Sequence, residues 1–103
     1  MLFKFKSKAT GDLIMLEQHG SHLLRIIGKE PAAKGILLCA DMPQALRDIQ
    51  AAIDEMEALA RERETSGETD DRADAVTLRQ RAVPFMDMLR RCIDNDSDVV
   101  WGV

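Results

Sequence analysis

Residues 77–94 read TLRQRAVPFMDMLRRCID, and their spacing decides the fold class of this chain. Apolar side chains recur every three or four positions, which places them on one face of a helix. Arginine, glutamine and aspartate side chains occupy the other face. Pro84 falls on the polar side and predicts a kink, because proline removes one helical hydrogen-bond donor. The segment therefore predicts a long amphipathic helix that packs against another layer of structure.

Two segments upstream show the same periodicity and predict helices at about 42–63 and 12–28. The 42–63 helix begins with a capping box at residues 41–44. The 12–28 helix ends at Gly28, which suits the left-handed conformation that closes many helices. Gly20 interrupts its apolar face at a cost of about 1 kcal/mol relative to alanine. A glycine there is more easily explained by a close backbone contact than by helix propensity.

Strands are predicted mainly at the two ends of the chain. LFKFK at 2–6 alternates apolar and cationic side chains, and DVVWG at 98–102 forms a terminal apolar segment. The apolar run at 35–39 is the candidate for a third strand. Because two strands alone are marginal, the helices must stabilise the sheet from one face. The fold prediction is α+β, with three helices packed on a sheet of two or three strands that includes both terminal strands.

The length of 103 residues predicts a single domain over residues 1–103. Within it, the segment at about 64–76 is acidic and nearly devoid of apolar side chains. Such a composition favours a solvated loop. We expect a mobile acidic loop there, joining the second and third helices.

Composition predicts a cytoplasmic protein without a membrane segment. Cys39 and Cys92 belong to no metal or disulfide pattern, and the chain opens without an apolar signal sequence. The net charge of −4 argues against nucleic acid as a partner. The charge is uneven, at +3 over residues 1–35 and −7 over 36–103. This asymmetry suits halves that attract each other within one fold or between two copies.

Candidate binding residues lie mainly in the first third of the chain. His19 and His22 are three positions apart and are candidates for metal binding, but zinc needs a third protein ligand and none has a recognised spacing. Candidates for binding an anion share only a positive charge: Lys4, Lys6, Lys29 and Lys34. GKEPAAKG lacks the order of a phosphate-binding loop. No metal or cofactor is therefore predicted.

Catalytic signatures are also missing from the sequence. It contains no GxSxG, HExxH or GxGxxG motif, and both cysteines lie among apolar residues, where burial makes a thiol inert. A paired-carboxylate enzyme stays open, because the spatial pairing of acidic side chains is not visible in a sequence. The prediction is a non-catalytic protein.

The predicted function is self-association. One arc of the 12–28 helix should be only partly covered by its own chain, and a second copy would cover it in a homodimer. The members of this arc are Met15, His19, His22 and Ile26. Protonating the histidines below about pH 6 should then weaken the contact. The alternative is a regulatory protein that binds a small anion or metabolite.

Four segments carry a resemblance to a known family. They are FKSKATGDLIML at 5–16, IGKEPAAKGIL at 27–37, RQRAVPFMDML at 79–89 and VVWG at 99–102. Together they resemble a family of small proteobacterial proteins filed as a domain of unknown function. The resemblance implies a compact bacterial protein and supplies no functional residues.

Overall fold

The computed structural model describes residues 2–32, 34–65 and 70–102, which form three α-helices and a four-stranded sheet. A short 3-10 turn at Cys39–Asp41 precedes the second helix. In chain order the elements are β1 (Leu2–Lys6), β2 (Leu13–Leu16), α1 (Glu17–Ile26), β3 (Gly35–Leu37), α2 (Met42–Thr65), α3 (Asp70–Asp94) and β4 (Val99–Trp101). The α+β prediction is confirmed, with one strand more than the sequence indicated.

The sheet is antiparallel throughout, with strand order β2-β1-β4-β3. The two terminal strands are neighbours at its centre, where Phe5 pairs with Trp101. The predicted strand at 2–6 is confirmed, and the predicted 98–102 strand is present as β4. The apolar run at 35–39 contributes β3, in which Ile36 pairs with Val100.

The predicted helix at 12–28 is wrong over its first turn. Residues 13–16 form β2, which pairs with β1 through Leu2–Leu16 and Phe3–Met15, and only Glu17–Ile26 is helical. Four consecutive apolar residues satisfy a helical wheel as well as a strand, so periodicity alone did not separate the two. Burial along β2 alternates as a strand requires, with Met15 buried between two exposed neighbours.

The acidic loop predicted at 64–76 is wrong at both ends. Helix α2 continues to Thr65 and α3 begins at Asp70, while residues 66–69 lie outside the described part of the chain. The two helices pack against each other, and Ala60 on α2 and Ala75 on α3 are both buried. Alanine side chains produce almost no hydrophobic periodicity, yet they allow two helices to approach closely, so this packing was not evident from the sequence.

The core lies between one face of the sheet and the three helices. At its centre Phe5 is fully buried and contacts three other rings, with centroids 5.8 Å away for Phe3, 5.0 Å for Phe85 and 5.9 Å for Trp101. These four are all the aromatic residues of the chain. The tilted and edge contacts that Phe5 makes with Phe85 and Trp101 are favourable geometries for aromatic pairs.

Two glycines confirm what the sequence predicted for them. A Cβ on Gly20 would lie 2.5 Å from Cδ2 of Phe3, so α1 can pack this closely on β1 only without a side chain there. Gly28 has a φ of +79° just beyond α1. Its N–H donates to the carbonyl of Arg25, and the Lys29 N–H donates to the carbonyl of Leu24. This pair of bonds is a Schellman motif, which satisfies the last carbonyls of the helix.

Candidate functional site

The face of the sheet that points away from the helices carries exposed aliphatic side chains. We call it the outer sheet face. Because side chains alternate along a strand, the pairing of β1 with β2 places Leu2 beside Leu16 and Lys4 beside Ile14 on this face. The exposed aliphatic residues on it are Leu2 (62% exposed), Ile14 (55%), Leu16 (50%) and Ile36 (44%).

Charged groups of both signs accompany these aliphatic side chains. The Lys4 ammonium lies 3.5 Å from a carboxylate oxygen of Asp12. Lys6 lines a groove of about 480 Å³ at the β3–β4 side of the sheet, together with Lys8, Asp96 and Asp98. The outer sheet face is therefore apolar with mixed charges at its middle and edge.

The two thiols lie close to this groove and are both free. The Cys39 thiol is 3.7 Å from the carbonyl oxygen of Cys92, and the Cys92 thiol donates to Oγ of Ser7 at 3.1 Å. Partial burial, with the carboxylates of Asp96 and Asp98, raises the pKa of the Cys39 thiol above its ordinary value. A higher pKa leaves less thiolate at neutral pH, which opposes a nucleophilic role.

A second concave site lies between the three helices, and we call it the histidine groove. Its volume is about 240 Å³. Helix α1 contributes both histidines of the chain, α3 contributes a hydroxyl and a guanidinium, and apolar side chains complete the lining. The lining residues are His19, His22, Leu23, Met56, Thr77, Leu78 and Arg81.

The structure separates the residues predicted for self-association. Met15 is 7% exposed and faces the core, so its assignment to a partly covered arc is wrong, because it belongs to a strand. Ile26 is half-buried and packs against the core. His19 is half-buried, His22 is exposed, and both line the histidine groove. A contact through His19, His22 and Ile26 stays a prediction.

The lysines predicted for anion binding fall into two places. Lys4 and Lys6 belong to β1, on the outer sheet face, whereas Lys29 and Lys34 lie in the connection between α1 and β3. Lys4 is already paired with Asp12. Sequence reasoning missed Arg81, which shares the histidine groove with His19 and His22. No local pattern could have linked Arg81 to α1, because roughly 60 residues separate them and the contact depends on how the helices pack.

His19 and His22 have no third metal ligand placed beside them among the described residues. Among the side chains that the structure describes, which leave out those of residues 63–74, no group of three His, Cys, Asp or Glu is placed to hold an ion. Arg81 instead brings a positive charge into the same groove.

Among the described helices, none has the length and apolar character needed to cross a membrane.

Comparison with known proteins establishes the family. The chain belongs to the family described as a domain of unknown function, DUF1840, whose model matches residues 1–101. No curated protein matches the chain, and no solved structure does. The family description names no activity.

Proposed function

We propose that this protein is a non-catalytic, cytoplasmic interaction protein that self-associates as a homodimer through its outer sheet face. The observation that supports this most directly is the set of four exposed aliphatic side chains on that face. The opposite face of the sheet is already covered by helices. A sheet with one uncovered apolar face is completed when a second sheet packs on it at about 10 Å.

The energy available from such packing is moderate. Fully burying one aliphatic side chain contributes about 1.5–3 kcal/mol, and these four are about half exposed, so each would add roughly 1 kcal/mol. Eight side chains in two copies then contribute roughly 8 kcal/mol, within the estimated cost of association of about 4–15 kcal/mol. The gain and the cost are of similar size, so the contact supports at most a weak dimer whose population depends on protein concentration.

The mixed charges of the outer sheet face favour a second copy of this chain over a partner whose surface charges all have the same sign. In a two-fold contact the same surface of each copy meets itself. A face carrying only lysines would repel its copy, but here Lys4 is accompanied by Asp12, and Lys6 by Asp96 and Asp98. Cations of one copy therefore have carboxylates to approach in the other.

The test compares three aspartate substitutions by sedimentation velocity at neutral pH. Ile36→Asp and Leu16→Asp place a charge on the outer sheet face, and Leu59→Asp places one on α2. Leu59 is the matched control because it is 44% exposed, the same as Ile36. A charge at an exposed site changes monomer stability little, whereas one buried unpaired in a dimer costs several kcal/mol.

We expect the parent and Leu59→Asp to be dimers at high micromolar concentration, and the two sheet variants to be monomers. Circular dichroism melts would show that each variant is folded. A monomeric parent at high micromolar concentration overturns the proposal. Dissociation by Leu59→Asp with an intact Ile36→Asp dimer would also overturn it, because the contact would then lie on the helices.

A further inference from the structure

We propose that the histidine groove binds the phosphate group of a small phosphate monoester. Four donors from two helices line it. His19 and His22 are three positions apart on α1, and Thr77 and Arg81 are four apart on α3. Both spacings put the two side chains on the same side of their helix, one turn apart. Imidazole, hydroxyl and guanidinium N–H and O–H groups can all donate to phosphate oxygens.

The charge of the groove selects an anion. None of its seven lining residues is acidic. Two other arginines on α3 are already paired, since Arg79 lies 2.5 Å from Glu57 and Arg90 lies 3.1 Å from Asp87. With the side chains that the structure describes, Arg81 makes no ion pair. Its guanidinium is therefore available for a ligand, and it would repel a metal ion at the same place.

The apolar side chains at the base of the histidine groove determine which group attached to the phosphate can bind. Leu23 and Leu78 are buried and Met56 is half-buried, so the donors surround an apolar surface. The volume of about 240 Å³ is below the roughly 300–1,000 Å³ typical of sites for drug-sized ligands. A monoester with a compact apolar body can use both the donors and the floor, whereas inorganic phosphate uses the donors alone.

This site does not depend on the proposed self-association. The histidine groove is formed by the helices, which pack on the face of the sheet opposite to the outer sheet face. A dimer through the outer sheet face would leave the groove accessible. Binding and oligomeric state can therefore be measured separately, and the failure of one proposal leaves the other standing.

The test uses proton NMR of the full chain, because its two histidines both line the groove. Their imidazole Cε1–H signals are followed at fixed pH during titration with phenyl phosphate, inorganic phosphate and chloride at matched ionic strength. We expect saturable shifts of both signals with phenyl phosphate, several-fold weaker binding of inorganic phosphate, and no saturation with chloride.

Substitutions at two arginines show which guanidinium binds the phosphate. Arg81→Gln should weaken phenyl phosphate binding about tenfold or more, because it removes a charge-assisted bond. Arg90→Gln is the matched control, since it removes the same charge from the same helix. Nine residues at about 100° each put Arg90 on the opposite side of α3 from Arg81. Its effect should stay within about twofold.

Four results would overturn the proposal. The first is the absence of saturable shifts with phenyl phosphate. Saturation by chloride, or equal weakening by Arg81→Gln and Arg90→Gln, would mean that general charge and not the groove attracts the anion. Inorganic phosphate binding as tightly as phenyl phosphate would overturn the monoester assignment. Circular dichroism of both variants ensures that weaker binding is not caused by unfolding.

Discussion

Gly20→Ala is the substitution whose effect the packing of α1 on β1 determines most sharply. In an exposed helix, replacing glycine by alanine stabilises the protein by about 1 kcal/mol. Here the new Cβ would lie 2.5 Å from Cδ2, 2.9 Å from Cγ and 3.0 Å from Cβ of Phe3. Carbon atoms in contact are normally about 3.5–4.0 Å apart, so the closest pair overlaps by about 1 Å.

Phe3 has little room to move away from this overlap. It is 7% exposed, and its ring stacks on that of Phe5, with centroids 5.8 Å apart. Inserting a methyl group into such a core costs about 1–3 kcal/mol, and three close contacts favour the upper part of that range. After the gain in helix propensity, we expect a net loss of about 1–2 kcal/mol.

Urea denaturation followed by circular dichroism measures this loss, with an unchanged slope showing that only stability has changed. The melting temperature should fall by roughly 5–10 °C for a domain of this size. Gly11→Ala is the control, because a Cβ at Gly11 would meet no atom within 4 Å. Its effect should stay within about 0.5 kcal/mol.

A double-mutant cycle with Phe3→Leu isolates the cause. A leucine side chain is smaller and more adaptable than the ring, so the penalty of Gly20→Ala should shrink in that background. The reasoning is refuted if Gly20→Ala is as stable as the parent chain. It is also refuted if the penalty is the same with Phe3 and with Leu at that position.

Two other substitutions test the helix ends and the surface. Arg79→Gln should reduce stability at neutral pH but not in acid: its hydrogen bond holds the pKa of Glu57 below the ordinary value. The stability that this lower pKa contributes is present above the unfolded pKa of Glu57 and is lost as pH falls through the folded pKa. Unfolding midpoints of the parent and of Arg79→Gln across pH 2–7 measure this loss. A difference between the two proteins that stays constant with pH would contradict it. Asp96→Gly should raise stability by about 0.5–1 kcal/mol, because Asp96 has a φ of +51° beyond α3, which glycine adopts with less strain. A lower melting temperature would show that the Asp96 side chain matters more than its backbone.

The elements with strong local patterns were predicted from sequence, because those patterns are sufficient on their own. Alternation in LFKFK gave β1 with the observed bounds. Helix α3 was predicted from its apolar face, but the predicted segment starts at Thr77. Thr77 and Gln80 have the spacing of a capping box, although both lie inside the helix. Its true first turn begins at Asp70. Side chains that resemble a cap are common within helices, so only backbone geometry distinguishes them.

The start of α1 was missed for a related reason. Its N-cap is Leu16, which makes no side-chain hydrogen bond to the first turn. Helices are usually recognised in a sequence from Ser, Thr, Asp or Asn at this position. The predicted helix starts four positions earlier, at residue 12, because the helical spacing of apolar residues extends back to Leu13. What fixes the true boundary is the pairing of β2 with β1, a tertiary contact without a local signature.

Both candidate surfaces depend on that boundary between β2 and α1. Because residues 13–16 are extended, Met15 points into the core while Ile14 and Leu16 point to the outer sheet face. Because the helix begins at Glu17, its own periodicity then turns Leu23 inwards and His19 towards α3. A helix continuing from residue 12 would remove an edge strand and most of the exposed aliphatic surface. The strand-to-helix change at this point therefore creates the face proposed for self-association and also positions the histidines beside Arg81.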